Sequence, residues 1–493
     1  MQIGRWLFAG IAGLALFLAG FWLGRSPTGE SIRELGLEAA GRVGAVVAQR
    51  AGTDTRSRLI LENPDLYRRV QGGGAFGGTF SRHVAQNMFG QTDEAIADAN
   101  ELTEVEELAP RTWLVRFPIV NCVLFETDEG LVVVDTGMSP AGPALVEAIR
   151  SISALPVHTV IYTHGHVDHA YGTWALLEAG WNPEVIAHAA IEERFDRYIR
   201  LRGSMAKYMS QPEHQLPASR EDLVWPTRTF DDRLEIEVGG ETFVLQHHRG
   251  ETDDQLYVWA PARRALATAD YYQGFLPNAG NGKRVQRHPE EWAFALREMA
   301  ALEPALLLPA HGEALTDPSL IQENLGVHAE VLEFVVKHTI DGLNAGLRKD
   351  QIFQSLELPR HLDEHPTLRV QYVTARDISK MVIRQYTGWW DDIPSHWSPA
   401  PLEHEAQAIV ESAGGMDAFV DRTREYLATD VILASHFADW AWLAEPENAA
   451  VQQLVLDVYR ERILDPRSNT QDMLAYLDAM ALARDAQLAA GTP

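Results

Sequence analysis

The run Thr163-His164-Gly165-His166-Val167-Asp168-His169 constrains this chain more than any other feature. It places four potential metal ligands within six residues, directly after the β-rich stretch Val157-His158-Thr159-Val160-Ile161-Tyr162. A strand that ends in a tight turn can splay such side chains into one cleft. His164 and His166 point the same way and can share one ion. Asp168 and His169 come from the next turn and can serve a second. A mixture of imidazole and carboxylate suits a borderline-soft ion such as Zn²⁺. The single cysteine, Cys122, excludes a thiolate-rich site and any intrachain disulfide. A metal here has to sit on histidines and carboxylates.

The rest of the chain sets the frame. At 493 residues it is long enough for two or three domains. Lys+Arg 42 against Asp+Glu 69 leaves a net charge of −27, which repels a phosphate backbone and argues against a nucleic-acid partner. Trp6–Gly24 carries no charge, lies between Arg5 and Arg25, and as a helix spans about 28 Å, close to a bilayer core. It reads as an export signal or a retained membrane anchor. Phe21 and Trp22, where a small-residue cleavage site would fall, favour the anchor. The remainder is then expected to be exported, on the periplasmic side of the inner membrane.

Residues 26–108 are Gly-rich and poorly periodic, a linker and a segment that wraps the core. From Arg111 the pattern changes. Thr112–Phe117, Asn121–Phe125, Leu131–Val134 and Val157–Thr163 read as strands, alternating with helical stretches at Pro143–Ile149 and Ala170–Ala179. A second strand-rich block runs from Phe230 to Ala269, and Leu306-Leu307-Leu308 closes the series. After Asp317 strands disappear. Leu332, Val335, Val336, Ile340, Leu343 and Leu347 recur at helical spacing, and Trp440–Tyr459 reads as two helices with Pro446 and Asn448 at the turn. The domains expected are therefore 1–25 (anchor or signal), 26–108, an α/β catalytic domain over 109–316 and an all-α domain over 317–493.

The His-x-His-x-Asp-His run at a strand end resembles the metallo-β-lactamase superfamily, whose fold is an αβ/βα sandwich. The resemblance implies further site residues. Leu131–Val134 followed by Asp135-Thr136-Gly137 looks like the strand whose Asp supports the metal loop. Arg249-Gly250-Glu251-Thr252 stands where the superfamily has Gly-His-Thr, so Glu251 takes the place of a His ligand. His247 and His248 just before it could be supporting donors, a shifted ligand, or ordinary packing residues. Ala265–Ala269 leads into Asp270, the expected bridge, and Leu306–Ala310 into His311, the last ligand. The implied tally is two Zn²⁺ per chain: His164, His166 and Glu251 on one, Asp168, His169 and His311 on the other, Asp270 between them.

Glu251 in that place resembles the alkyl sulfatase branch of the superfamily. The helical region resembles it further, in Gly388-Trp389-Trp390-Asp391-Asp392-Ile393-Pro394, Glu411–Gly415 and Ala444–Ala450. These imply a homodimer and a small amphipathic anionic substrate. There are departures. Gly312 follows the last His where the branch usually has Trp, and the bridging carboxylate is Asp270 rather than Glu. Asp135-Thr136 replaces the branch's usual Asp-Pro, and its third, lipid-carrier-like domain is expected to be missing. By the same resemblance Asn278, Lys283, Arg284 and Arg287 are candidates for the sulfate group, with Lys283 and Arg284 interchangeable in register. Asp168 belongs to the catalytic centre, and Tyr171 and His247 are candidate proton donors to the leaving alkoxide. Trp181, Trp225, Phe275 and Leu276 could line an apolar groove. The expected activity is hydrolysis of alkyl sulfate esters to alcohol and inorganic sulfate by hydroxide generated at the metals. Competing readings are a hydrolase of a lactone, thioester, β-lactam or phosphodiester, and a metal-binding scaffold that has lost catalysis.

Overall fold

The computed structural model describes residues 55–72, 104–117, 120–209, 213 and 216–491. The apolar segment 6–24 lies outside them, and among the described residues no helix is long and apolar enough to cross a membrane. Two sheets form the α/β part. The first follows chain order: β1 (Glu104–Ala109), β2 (Thr112–Arg116), β3 (Asn121–Glu126), β4 (Leu131–Val134), β5 (Val157–Ile161), β6 (Glu184–His188) and β7 (Arg228–Phe230). It is antiparallel from β1 to β4 and parallel from β4 to β7. The second comprises β8 (Arg233–Val238), β9 (Glu241–His247), β10 (Leu256–Ala260), β11 (Ala265–Ala269) and β12 (Leu306–Pro309), and only β11 and β12 are parallel.

The strand sequences explain the layering. β4 is an unbroken apolar run because both of its faces are covered. Val132 and Val134 face β9–β12 in the core between the sheets, with Val123, Phe125, Phe243, Leu245, Val258 and Leu308. Leu131 and Val133 face the opposite way, onto the helices Gly142–Ile152 and Ile191–Arg200. The outer face of the second sheet is covered by Pro289–Ala301, and a layer of further helices packs on that one. The expected αβ/βα sandwich is the observed architecture.

The strands predicted over 112–163 fall within a residue or two of the observed ones. The helix predicted over Ala170–Ala179 is instead two short helices, Val167–Ala170 and Thr173–Glu178. Gly172 sits at the break, where a Cβ would stand 2.0 Å from the Thr136 carbonyl oxygen, so the chain passes there only without a side chain.

The compact units do not follow the boundary expected at 316/317. Among the described residues, one comprises those from 104 to 397 and the other combines 55–72 with 398–491. The helix Pro318–Asn344 belongs with the α/β part: Ile321, Leu325, Leu332 and Val335 share a core with Leu266, Trp292 and Leu307. Within the expected wrapping segment, 104–109 forms edge strand β1. Thr55–Glu62 and Pro64–Gly72 join the C-terminal helices through Ile60, Leu66 and Val70, the Arg56–Asp478 pair (2.6 Å) and the Arg460–Asp65 pair (2.8 Å). The predicted helical hairpin is present as Val431–Ala444 and Ala449–Leu464, with Asn448 capping the second by accepting from Ala450 N (2.9 Å).

His328 on Pro318–Asn344 is buried, with Nε2 against the Thr367 carbonyl (2.9 Å). Burial lowers its pKa to about 3, against the pull of that hydrogen bond. The folded state therefore binds fewer protons than the unfolded one, so His328 costs stability as pH falls from the unfolded value near 6.5 towards 3. His328→Gln is expected to flatten the acid side of the stability curve between pH 6.5 and 4, read by urea unfolding at a series of pH values.

Candidate metal centre

The site lies where strand ends from both sheets meet. β4 ends in Asp135, β5 leads into His164–His169, β11 into Asp270, β12 into His311, and the β9–β10 loop supplies Glu251. Two backbone hydrogen bonds join the sheets at this edge, Leu256 N to Thr163 O (2.9 Å) and Asn121 N to Ala310 O (2.7 Å).

Asp135 holds the metal loop in shape. Its Oδ1 accepts from Thr163 N (2.7 Å), and its Oδ2 from Thr163 Oγ1 (2.7 Å) and His169 Nδ1 (2.8 Å). The contact to His169 fixes that ring's tautomer and leaves Nε2 to face Asp270 Oδ1 (3.5 Å) and Asp168 Oδ2 (3.6 Å). Asp135 itself has φ +62°, a left-handed backbone that few non-glycine residues adopt. At the last strand, Asn121 Nδ2 donates to the carbonyls of Pro309 (3.0 Å) and Gly312 (2.9 Å) and so frames His311.

Three groups of donors converge, each with ligand atoms within 4.8 Å: His164, His169 and Asp270; Asp168, His169 and His311; His166, Glu251 and Asp270. Asp270 links them, 3.2 Å from His311 Nε2 and 3.8 Å from His164 Nε2. His164 Nε2 and His166 Nδ1 approach to 2.8 Å, as two ligands of one ion would. All seven ligands implied by the sequence are thus brought together. His169 Nε2 is buried and finds no hydrogen-bond partner among the described residues, facing Asp270 Oδ1 at 3.5 Å, which is a contact a cation between them would complete. Nitrogen and oxygen donors without sulfur suit a borderline-soft ion such as zinc.

Electrostatics agree. Burial lowers the pKa of His169 and His311, but Asp270 and Asp168 outweigh it, raising His169 to about 10 and His311 to about 9. Asp270 is opposed by burial yet held well below the ordinary carboxylate range by His311 and His169. The carboxylates demand positive charge, from protons or from a metal that displaces them. Burial keeps His164 and His166 neutral and ready to ligate.

The remaining predicted residues divide. Glu251 Oε1 takes Arg287 Nη2 (2.5 Å) and Asn278 Nδ2 (3.3 Å), leaving Oε2 near Gln273 Nε2 (3.5 Å). Burial raises its pKa to about 8 against the pull of Arg287. Arg287 is itself buried and also bonds the Asn278 carbonyl, so both groups expected to meet substrate are engaged by the ligand carboxylate. Arg284 instead donates to a neutral group, the Tyr208 carbonyl (2.6 Å), and burial lowers its pKa. Lys283 lies in the same turn, its N–H donating to Asn281 Oδ1 (3.1 Å).

Neither predicted proton donor joins the ligand groups. Tyr171 packs its ring edge-on to Phe195 (5.9 Å), and its buried hydroxyl finds no partner among the described residues. His247 stacks on His188 (3.6 Å) with Nδ1 on the Gln255 carbonyl (2.8 Å), and burial lowers its pKa to about 4. His248 turns to Glu298 (3.3 Å) instead of the metals. Of the groove candidates, Leu276 is core, Trp181 packs under Arg150 and Trp225 under Arg220. Phe275 lies beside Tyr372 (5.4 Å), whose hydroxyl pKa is raised by burial and then by Asp168, Glu251 and Asp270. Tyr372 is thus a neighbour of the centre that the sequence did not signal.

With this geometry in place, likeness to known proteins is informative. Residues 115–311 match the Metallo-beta-lactamase superfamily and 348–484 the Alkyl sulfatase dimerisation family. The chain carries a metallo-beta-lactamase domain followed by an alkyl sulfatase dimerisation region. It is 27% identical to a linear primary-alkylsulfatase of Pseudomonas sp. (strain ATCC 19151), over 67% of this chain and 66% of that protein. It is 25% identical to the 2,4-dinitroanisole O-demethylase subunit alpha of Nocardioides sp. (strain JS1661), over 58% of this chain and 80% of that one. The solved structure of the stereoselective inverting sec-alkylsulfatase Pisa1 from Pseudomonas sp. shares the fold, with TM-score 0.69 and 20% identity over 87% of this chain and 70% of its own. The chain spans just under two thirds of the length of the Pseudomonas primary-alkylsulfatase.

Arg287 discriminates between two roles. If it supports Glu251, Arg287→Met loosens metal binding by about 10–100-fold. If it meets substrate instead, bound metal is unchanged and only KM rises. Metal content after dialysis, read beside KM, is expected to show the first pattern.

Proposed function

We propose that this protein is a zinc-dependent hydrolase that cleaves alkyl sulfate esters to an alcohol and inorganic sulfate. The observation that carries the reading is the convergence of seven donors in a superfamily member that also has an alkyl sulfatase dimerisation region. His164, His166 and Glu251 would hold one zinc and Asp168, His169 and His311 the other, with Asp270 between them. Bound there, the two ions would supply Lewis acidity and a water ionised near neutral pH.

The chain's own residues do the rest. Asp135 keeps His169 in one tautomer, and Asp168 and His311, at 21% and 13% side-chain exposure, form the open side of the site that a substrate meets. Arg284 is the basic side chain best suited to a sulfate oxygen, because its fork is held near the centre by a neutral carbonyl. Tyr171 keeps its proton at neutral pH, since burial raises its pKa, whereas His247 is neutral and carries none to spare. Tyr171 is therefore the better of the two candidates for protonating the leaving alkoxide.

We further propose a homodimer, on the strength of the dimerisation region, and an exported protein held at the membrane by residues 6–24. A second reading keeps the same metal pair and changes the substrate. The O-demethylase relative favours it, since a likeness of similar grade extends to a protein named for a different reaction.

Purified protein reconstituted with Zn²⁺ is expected to release sulfate from a medium-chain alkyl sulfate. The double substitution Asp168→Ala, His169→Ala should lower the rate at least about 10³-fold, as expected when metal chemistry is lost. Metal bound without sulfate release would shift the assignment to another ester. Sedimentation equilibrium is expected to give twice the chain mass.

A further inference from the structure

Arg194 and Asp254 form a buried ion pair that the metal site does not use directly. Asp254 follows Glu251 in the β9–β10 loop, and Arg194 lies on the helix Ile191–Arg200. Their side chains are 0% and 1% exposed, and Arg194 Nε donates to Asp254 Oδ1 at 2.7 Å. The other carboxylate oxygen, Oδ2, accepts the N–H of Gly165 at 2.8 Å. Gly165 is the residue between His164 and His166. Arg194 also bonds Asp253 through Nη2 and Tyr198 through Nη1 (3.5 Å).

The helix bears directly on the turn. A Cβ at Gly165 would stand 2.9 Å from both Arg194 Cδ and Ile191 Cγ1, so glycine is what allows this approach. The other end of the loop is also fixed, since Gln255 Oε1 accepts the N–H of Glu251 at 2.7 Å. One carboxylate therefore joins the turn that carries His164 and His166 to the loop that carries Glu251, and one guanidinium holds that carboxylate.

We propose that the Arg194–Asp254 pair is a positioning device that sets the spacing between His166 and Glu251, and so the affinity of one metal position only. This rests on the two-metal reading above. The other position is built from different parts: Asp135 orients His169, and Asn121 frames His311. A buried ion pair is a poor source of stability, because desolvating both charges offsets their attraction. Here both carboxylate oxygens are engaged and the fork is spread over two aspartates, an arrangement that specifies orientation.

The test compares metal binding to the full chain and its variants. Removing one partner alone would strand a buried charge and could unfold the protein. The main variant is therefore the neutral pair Asp254→Asn, Arg194→Gln. Arg194→Lys, which keeps the charge but loses the fork, is the milder second. Each is stripped of metal and titrated with Zn²⁺ against a chromophoric chelator. Co²⁺ titration is followed by visible absorption, and circular dichroism reports folding. The expected result is a folded neutral-pair variant that retains one ion at wild-type affinity and binds the other about 10–100-fold more weakly. Arg194→Lys should show the same one-site pattern at smaller amplitude. Wild-type affinity at both positions in either folded variant overturns the proposal, as does equal weakening of both. A wild-type protein that binds fewer than two ions overturns the two-metal reading, and the positioning role with it.

Discussion

Three carboxylates, Asp168, Glu251 and Asp270, share one small volume with four imidazoles, and Glu251 and Asp270 are at most 4% exposed. In so little water their mutual repulsion is costly unless cations come between them. That demand organises the surroundings. His169 and His311 are driven towards their charged forms, and Arg287 comes to rest on Glu251. Most of the buried charge in this region answers Asp270 or Glu251. A divalent ion placed there displaces protons and leaves the protein's framework in place, because the framework does not depend on the imidazoles for shape. It depends on Asp135, Asn121 and Asp254, which grip backbone groups around the ligands.

The sandwich makes this possible by ending its strands together. β4 and β5 deliver Asp135 and the His loop from one sheet, and β11 and β12 deliver Asp270 and His311 from the other. Packing between the faces, with Val132 and Val134 against Phe243 and Leu308, fixes the distance between sheets before any ligand is placed. Cross-sheet hydrogen bonds at Thr163 and Ala310 then lock the edge itself. Left-handed backbone at both Asp135 and Ala269, just before Asp270, turns the chain sharply out of each strand. Such conformations are local costs that a rigid scaffold can hold.

Much of the centre was legible because its residues follow closely on short, mainly apolar strands. Leu131–Val134, Val157–Ile161, Ala265–Ala269 and Leu306–Pro309 announce themselves by composition, and Asp135, the His164–His169 loop, Asp270 and His311 lie within three residues of their ends. Glu251 has no such flag and was reached by resemblance alone. The supporting residues were silent for another reason. Asn121 meets its partners 188 and 191 positions away and Arg194 meets Asp254 60 away, so no local pattern could pair them. The packing partner of Pro318–Asn344 was hidden likewise. The periodicity of Pro318–Asn344 reveals an apolar face, but not that the outer layer of the second sheet is what covers it. Trp389, legible only as part of a family-like run, is 77% exposed with its ring centroid 5.6 Å from that of Trp397.

Any anion approaching a chain of net charge −27 needs local relief, and the arrangement of arginines decides where it can come from. Arg194 is neutralised by Asp253 and Asp254, and Arg287 by Glu251. Their fields are largely cancelled at a distance, so counting basic residues near the centre overstates its attraction for an anion. Arg284 differs in kind, because a backbone carbonyl satisfies its hydrogen-bonding geometry without removing its charge. The same reasoning separates structural from functional cations in any acidic metal site. A guanidinium already matched by a carboxylate shapes the ligand sphere, whereas one held by neutral groups still has a charge to offer.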